Sequence, residues 1–248
     1  MNPIILVTGA SRGIGAATAL LCARQGFDVA VNYTRDARAA EAIATQVRAL
    51  GHRAMVVGAD VSREDEVLRL FVAVDAELGP LTALVNNAGV VDVAARVDEM
   101  SAARLMRMFA VNVLGSFLCA REAVRRMSTK HGGRGGAIVN LSSAAARIGA
   151  PGQYVDYAAA KGASDTFTLG LAKEDAAEGI RVNAVRPGII ETDIHASGGQ
   201  PDRAAQMAPQ VPMRRAGSAE EVAQAIAWLL SDASSYTAGA VIDVTGGR

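Results

Sequence analysis

Cysteine and histidine are scarce in this chain. Its 248 residues include two cysteines, Cys22 and Cys119, and three histidines, His52, His131 and His195. The cysteines lie in apolar helical stretches, and no spacing fits a disulfide framework or a zinc site. The histidines are scattered and form no ligand cluster, so no bound metal is expected. Aromatic residues make up only 4% of the chain, so the core must be built from Ala, Val, Leu and Ile. That composition suits helices packed on parallel strands. Excess charge of either sign is missing too. The 25 basic and 25 acidic side chains cancel, so charge points to neither a nucleic-acid nor a membrane partner. The basic cluster Arg125, Arg126, Lys130, His131 and Arg134 is interleaved with glycines and reads as a solvated helix end and loop. No apolar run approaches the roughly 18 residues of a membrane span. No charged leader precedes the first apolar segment. A soluble, cytoplasmic protein is expected.

What the chain does have is a regular alternation. Short apolar runs at residues 4–7, 29–31, 54–57, 83–85, 137–139, 182–185 and 241–244 are separated by helix-length segments. The runs lack polar alternation, as strands covered on both faces should. Ser62 is placed to cap a helix carrying Val67, Leu68 and Phe71. Ser218 and Glu221 form a capping box before Val222, Ile226, Leu229 and Leu230. Seven strands with helical crossovers predict an α/β, doubly wound parallel sheet in one domain spanning 1–248. Residues 190–215, rich in Gly, Pro and Met, follow a strand's C-terminal end, where open α/β sheets bind ligands. They are expected to form a substrate lid with short helices of its own. Ile189, Ile190, Ile194, His195 and Met207 would give it a mixed surface.

Strand one runs straight into Thr8-Gly9-Ala10-Ser11-Arg12-Gly13-Ile14-Gly15 and then a helix. Glycines there permit a tight turn and bring a pyrophosphate close to backbone amides at the helix N-terminus. The end of the second strand bears on NAD against NADP, because a carboxylate there would bind the ribose 2′-hydroxyl. The chain reads Asn32-Tyr33-Thr34-Arg35 instead, and Asp36 lies one position further on. Arg12 and Arg35 can meet a 2′-phosphate, with Thr34 as a hydroxyl donor. NADP(H) is therefore favoured over NAD.

Tyr157 and Lys161 stand four residues apart, so on a helix they project from one face. A phenol ordinarily loses its proton near pH 10, and a neighbouring ammonium favours the phenolate. The pair can thus act as an acid/base catalyst if a cofactor site and a partner hydroxyl stand beside it. Tyr154 has no lysine four residues on.

With these motifs on the page, the chain resembles the short-chain dehydrogenase/reductase family along its whole length. The matches are Thr8-Gly9-x-x-x-Gly13-x-Gly15, Asp60-Val61 facing the adenine, Asn86-Asn87-Ala88-Gly89, Asn112, Ser143, Tyr157-x-x-x-Lys161, and Pro187-Gly188 with Thr192. The resemblance implies a Rossmann-type fold with strand order 3-2-1-4-5-6-7. It implies catalytic Asn112, Ser143, Tyr157 and Lys161. For the cofactor it implies Gly9, Ser11, Arg12, Gly13, Ile14, Gly15, Thr34, Arg35, Asp60, Val61, Asn87, Ala88, Gly89, Tyr157, Lys161, Pro187, Gly188, Ile190 and Thr192. In that scheme Ser143 orients a carbonyl oxygen and Tyr157 delivers the proton. Lys161 lowers the tyrosine pKa and holds the nicotinamide ribose, and Asn112 holds a relay water. One departure stands out. The 14 positions from Ser143 to Tyr157 exceed the family's usual interval by one, and residues 147–153 are expected to absorb the extra residue. The partners implied are a small carbonyl or alcohol compound and further copies of the chain, as a homotetramer or homodimer. A 3-oxoacyl-acyl-carrier-protein reductase and a glucose-type sugar dehydrogenase fit the motifs equally. Arg125, Arg126 and Arg147 are candidates for an acidic carrier's docking patch. An NADP-binding sensor or scaffold is the non-enzyme alternative.

Overall fold

The computed structural model describes residues 2–248, with His195 described by its backbone alone. The strands are β1 (Ile4–Val7), β2 (Asp28–Tyr33), β3 (Ala54–Gly58), β4 (Ala83–Asn86), β5 (Gly136–Leu141), β6 (Ile180–Pro187) and β7 (Val241–Val244). All pair in parallel, in the order β3-β2-β1-β4-β5-β6-β7. Each predicted apolar run lies inside a strand. β2 to β6 extend past their runs because ladder pairing also recruits residues at their ends, such as Asn86 paired with Asn140.

The helices are α1 (Gly13–Arg24), α2 (Ala37–Ala49), α3 (Glu64–Glu77), α4 (Ala102–Phe109), α5 (Gly115–Met127), α6 (Ala145–Ile148), α7 (Val155–Asp175), α8 (Ile194–Ser197), α9 (Arg203–Met207) and α10 (Ala219–Leu230). Alternate strand residues face opposite layers. Ile5, Val7, Val29 and Val31 pack with Ala19 and Cys22 of α1, Ala44 of α2 and Ile226 of α10. Ile4, Leu6, Leu84 and Ile138 pack with Leu70 and Phe71 of α3 and Cys119 of α5. Each fully buried Ile, Leu or Phe contributes about 1.5–3 kcal/mol, so the two layers hold the sheet rigid beneath its C-terminal edge. Burial also pushes the Cys22 and Cys119 thiols up to about 12, which makes them inert packing groups.

The capping box of Ser218 and Glu221 forms as expected, with both reciprocal bonds present. Ser62 does not cap α3. Its amide and hydroxyl both donate to Asp60 Oδ1, at 3.0 and 2.7 Å, so the side chain closes a local Asx turn instead. Arg126 is likewise no solvated helix end. Its guanidinium lies over the Phe71 ring at 5.0 Å and pairs with Asp75 and the buried Glu122.

A widened π-turn, Ala110–Leu114, joins α4 to α5. Together they form a continuous helix of 26 residues, Ala102–Met127, long and apolar enough by length and composition to cross a membrane. In the fold this helix packs on α3, β4 and β5 and buries Leu118, Cys119, Ala123 and Met127.

Candidate active site

The C-terminal ends of β1, β2 and β3 bring the glycine turn, Thr34-Arg35 and Asp60-Val61 to one edge of the sheet. The order reverses between β1 and β4, which is where such sheets bind ligands. Buried amides fix the glycine turn. Asn32 Oδ1 accepts from the Gly9 amide at 3.2 Å, while its Nδ2 donates to the Val57 and Ala59 carbonyls. Asn87 Nδ2 donates to the Thr8 and Gly9 carbonyls at 2.8 and 3.0 Å. The Asn87 and Ala88 amides donate to Thr8 Oγ1. Gly15 has no space for a side chain, since a Cβ there would meet Asn87 Nδ2 at 2.5 Å and the Gly9 carbonyl at 2.6 Å. The first turn of α1 has no side-chain cap and no acidic residue. Its amides are therefore open to an anion. This bare, glycine-walled cradle fits a dinucleotide's pyrophosphate.

At the 2′-end, Arg35 is exposed and has no hydrogen-bond or ion-pair partner among the described residues. Asp36 is committed to capping α2, where it accepts from the Ala39 amide at 2.9 Å. The Thr34 hydroxyl leans on the Ala59 carbonyl at 3.4 Å, and Arg12 reaches Ser197 of α8 at 3.3 Å. Asp60 keeps Oδ2 free, and Val61 packs against Gly115.

The second half of the cleft is built by β5 and α7. Ser142 is buried and its hydroxyl donates to the Lys161 carbonyl at 3.1 Å. Asn140 Nδ2 donates to Thr168 at 2.9 Å and Asn140 Oδ1 accepts from Asn86 at 2.9 Å. These bonds lay α7 against β5 in one register. Ser143 then lines a single cleft with Tyr157 and Lys161. The Ser143 hydroxyl stands beside the Tyr157 phenol in this cleft. Lys161 Nζ donates to the Leu141 carbonyl at 2.6 Å and lies 5.6 Å from the Tyr157 ring centre.

Asn112 sits in the π-turn behind this cleft. Its Nδ2 donates to the Val90 and Met108 carbonyls, and its Oδ1 accepts from the Val90 amide at 3.2 Å. Gly89 separates it from Lys161. A Cβ on Gly89 would lie 2.8 Å from Asn112 Oδ1 and 3.6 Å from Lys161 Nζ, so only glycine lets both approach.

The electrostatics depart from expectation at one point. The phenol is not lowered towards neutrality. Burial pushes Tyr157 up to about 12, and the Ser143 hydroxyl beside it only partly opposes this. Burial also pulls Lys161 down to about 8, against the opposing pull of Asp165. The tyrosine is thus held protonated at neutral pH, as a proton donor must be.

Pro187, Gly188, Ile190 and Thr192 line the same cleft. The segment beyond them is clasped at its base, where Glu191 N donates to the Gly217 carbonyl and Gly217 N to the Ile189 carbonyl, both at 2.9 Å. It carries α8 and α9 and a small core of Ile189, Ala204, Val211 and Ala216. Ile194 faces the cleft, whereas Met207 packs on that small core; the His195 side chain lies outside the described residues. In the stretch between α6 and α7, where the extra residue is expected to be absorbed, Gly149, Ala150 and Gly152 all have positive φ. Tyr154 turns out to line the cleft, as do Arg203 and Arg248. No motif marked the two arginines, because their sequence neighbours carry no pattern.

Known proteins resemble this chain along its whole length. The family model described as enoyl-(acyl carrier protein) reductase matches residues 9–248. The chain belongs to the short-chain dehydrogenase/reductase family. It is 55% identical over 245 residues to the uncharacterized oxidoreductase YgfF of Escherichia coli, covering 99% of both chains. It is 42% identical to the cis-4-hydroxycyclohexanecarboxylate dehydrogenase of Sinomonas cyclohexanicum, covering 98% of this chain and 95% of that one. It is 37% identical to a 3-oxoacyl-(acyl-carrier-protein) reductase of Staphylococcus epidermidis, covering 100% of this chain and 99% of that one. A crystal structure of a short-chain type dehydrogenase/reductase from Mycobacterium marinum superposes with a TM-score of 0.92 at 35% identity, covering 99% of this chain and 94% of that one. The protein is an oxidoreductase of this family, and the family implies a nicotinamide cofactor.

Proposed function

We propose that the protein is an NADP(H)-dependent reductase of a small carbonyl compound, with Tyr157 as the proton donor. The observation that carries this is the meeting of the Ser143 hydroxyl, the Tyr157 phenol and the Lys161 ammonium in one cleft beside the glycine turn. When bound, the cofactor supplies hydride from its nicotinamide. Ser143 binds the substrate oxygen and orients it. Tyr157 Oη gives that oxygen its proton as negative charge develops there. Lys161 keeps two N–H groups beyond the one on Leu141, enough to hold a ribose diol. Asn112, with a lone pair left on Oδ1, positions a water for reprotonation. The segment 190–215 serves as the lid, and Thr192 stands over the glycine turn, where a Cβ on Gly13 would lie 3.4 Å from its Cγ2. The test is a panel of ketones, sugars and acyl thioesters assayed for NADPH oxidation. Turnover of any member excludes the sensor or scaffold reading, and no turnover of any member contradicts the proposal.

The preference for NADP(H) rests on the unpaired Arg35 and on the diversion of Asp36 into a helix cap. Arg35→Asp is expected to lower the NADPH-over-NADH ratio of kcat/KM by about 10-fold or more, as expected for losing a charge-assisted phosphate contact. Measuring both cofactors side by side checks this; an unchanged ratio contradicts it.

An acyl-carrier substrate is less well supported. Arg125, Arg126 and Arg147 are tied to Glu122, Asp75 and Asp243, which neutralises the patch an acidic carrier would need. The relative that acts on a hydroxycyclohexanecarboxylate favours a small hydroxy or oxo compound. The reading includes self-assembly into a homotetramer or homodimer. Met106, Phe109, Leu114 and Phe117 are exposed along one helix, which favours burial against further copies. Light scattering at micromolar concentration is expected to give a mass of two or four chains; a monomer contradicts it.

A further inference from the structure

The cleft that holds Ser143 and Tyr157 carries three charged side chains, and all are cations: Lys161, Arg203 and Arg248. No aspartate or glutamate lines it among the described residues. Lys161 belongs to the reaction centre. The two arginines do not, and no aspartate or glutamate side chain among the described residues pairs with either. Arg203 is held by two neutral amides, donating to Gln200 Oε1 at 2.6 Å and Gln153 Oε1 at 2.7 Å, and its guanidinium stacks 5.3 Å from the Tyr154 ring centre. Its charge is thus fixed in position but not cancelled. Arg248 has no hydrogen-bond or ion-pair partner among the described residues. Burial, and then the nearby Arg203, push its guanidinium below the usual arginine range. Two like charges brought together repel each other, and an anion between them relieves that repulsion.

We infer that Arg203 and Arg248 form a receptor for a carboxylate on the substrate, remote from the carbonyl that is reduced. The substrate is then an oxo acid, or a hydroxy acid in the reverse direction. This rests on the reductase reading for its chemistry but not for its binding. The remaining wall is apolar, with Ile148, Ala150, Ile189 and Ile194, so the part of the substrate between its two ends is a hydrocarbon. The cofactor's phosphates do not account for the pair. Those phosphates have the bare amides of α1 and the separate Arg12 and Arg35, whereas Arg203 is bound to the turn that precedes α7.

The test uses a series of methyl-ketone acids with two to five methylenes between carbonyl and carboxylate, each paired with its methyl ester. The wild type is expected to show a kcat/KM for at least one acid about 10-fold or more above its ester. Arg203→Gln and Arg248→Gln are each expected to lower that acid-to-ester ratio by about 10-fold, the equivalent of one charge-assisted contact. Arg203→Lys is expected to recover part of it. The KM for the cofactor is expected to stay constant. An unchanged ratio, or a cofactor KM that rises with either substitution, overturns the inference. Calorimetric titration of the acids and esters in the presence of NADP+ separates the two readings. Acid-selective binding without turnover sinks the reductase reading and leaves the anion receptor standing. Turnover without acid selectivity does the reverse.

Discussion

Tyr157→Phe is expected to lower kcat for carbonyl reduction by about 10²–10⁴-fold, the range ascribed to a positioned general acid. The substitution removes one oxygen from a side chain whose ring is fixed by α7 and flanked by Lys161. The substitution takes away the hydroxyl beside Ser143 and leaves the ring in place. The cofactor's affinity, set at the glycine turn and the ends of β2 and β3, is expected to change less than about threefold, because no contact there is touched. Steady-state kinetics with separate titration of NADPH checks both parts. A fall in affinity with kcat preserved would assign Tyr157 to binding instead of proton transfer.

Lys161→Met is expected to separate activity from stability. The ammonium is 4% exposed, and burial pulls its pKa from 10.5 to about 8. The unfolded chain carries the lysine at its ordinary pKa. The penalty for holding the charge inside is therefore absent above pH 10.5, grows as the pH falls towards 8 and is complete below that. A shift of this size corresponds to about 3 kcal/mol. Losing the bond to the Leu141 carbonyl takes back about 1 kcal/mol. Lys161→Met should therefore gain about 2 kcal/mol at pH 7 while losing about 10²–10³-fold in kcat, the cost of removing a preorganised charge. Denaturant unfolding at pH 7 and pH 10 is expected to show the gain at the lower pH and little of it at the higher. Equal gains at both would mean that the charge carries no burial penalty. A site that holds such a charge stores instability in exchange for function.

How much of this was legible from residues alone depends on the range of the physics. The seven strands were readable because a buried parallel strand must be apolar throughout, and Ile4–Val7 and Val241–Val244 match to the residue. Tyr157 and Lys161 were readable as a pair because helix periodicity fixes which side chains share a face, whereas Ser143 came from the family resemblance. Ser62 misled because an N-cap and an Asx-turn partner have the same local sequence, and Asp60 two positions earlier decides between them. The pKa of Tyr157 was not readable either. Pair spacing gives the sign of a neighbouring charge, but not the desolvation that outweighs it. Arg203 and Arg248 were invisible because residues 190–215 and 244–248 meet only in three dimensions, as where the Met213 amide donates to the Gly246 carbonyl at 3.1 Å.

The central claim, that Tyr157 and its neighbours reduce a carbonyl with hydride from NADPH, is tested most directly by isotope transfer. Wild-type protein and Tyr157→Phe are each incubated with NADPH deuterated at the transferring C4 position and an accepted ketone, and the product alcohol is examined by mass spectrometry. The account predicts one deuterium on the carbinol carbon with the wild type and product reduced by at least about 10²-fold with the variant. Alcohol formed without deuterium, or formed equally fast by Tyr157→Phe, would contradict it.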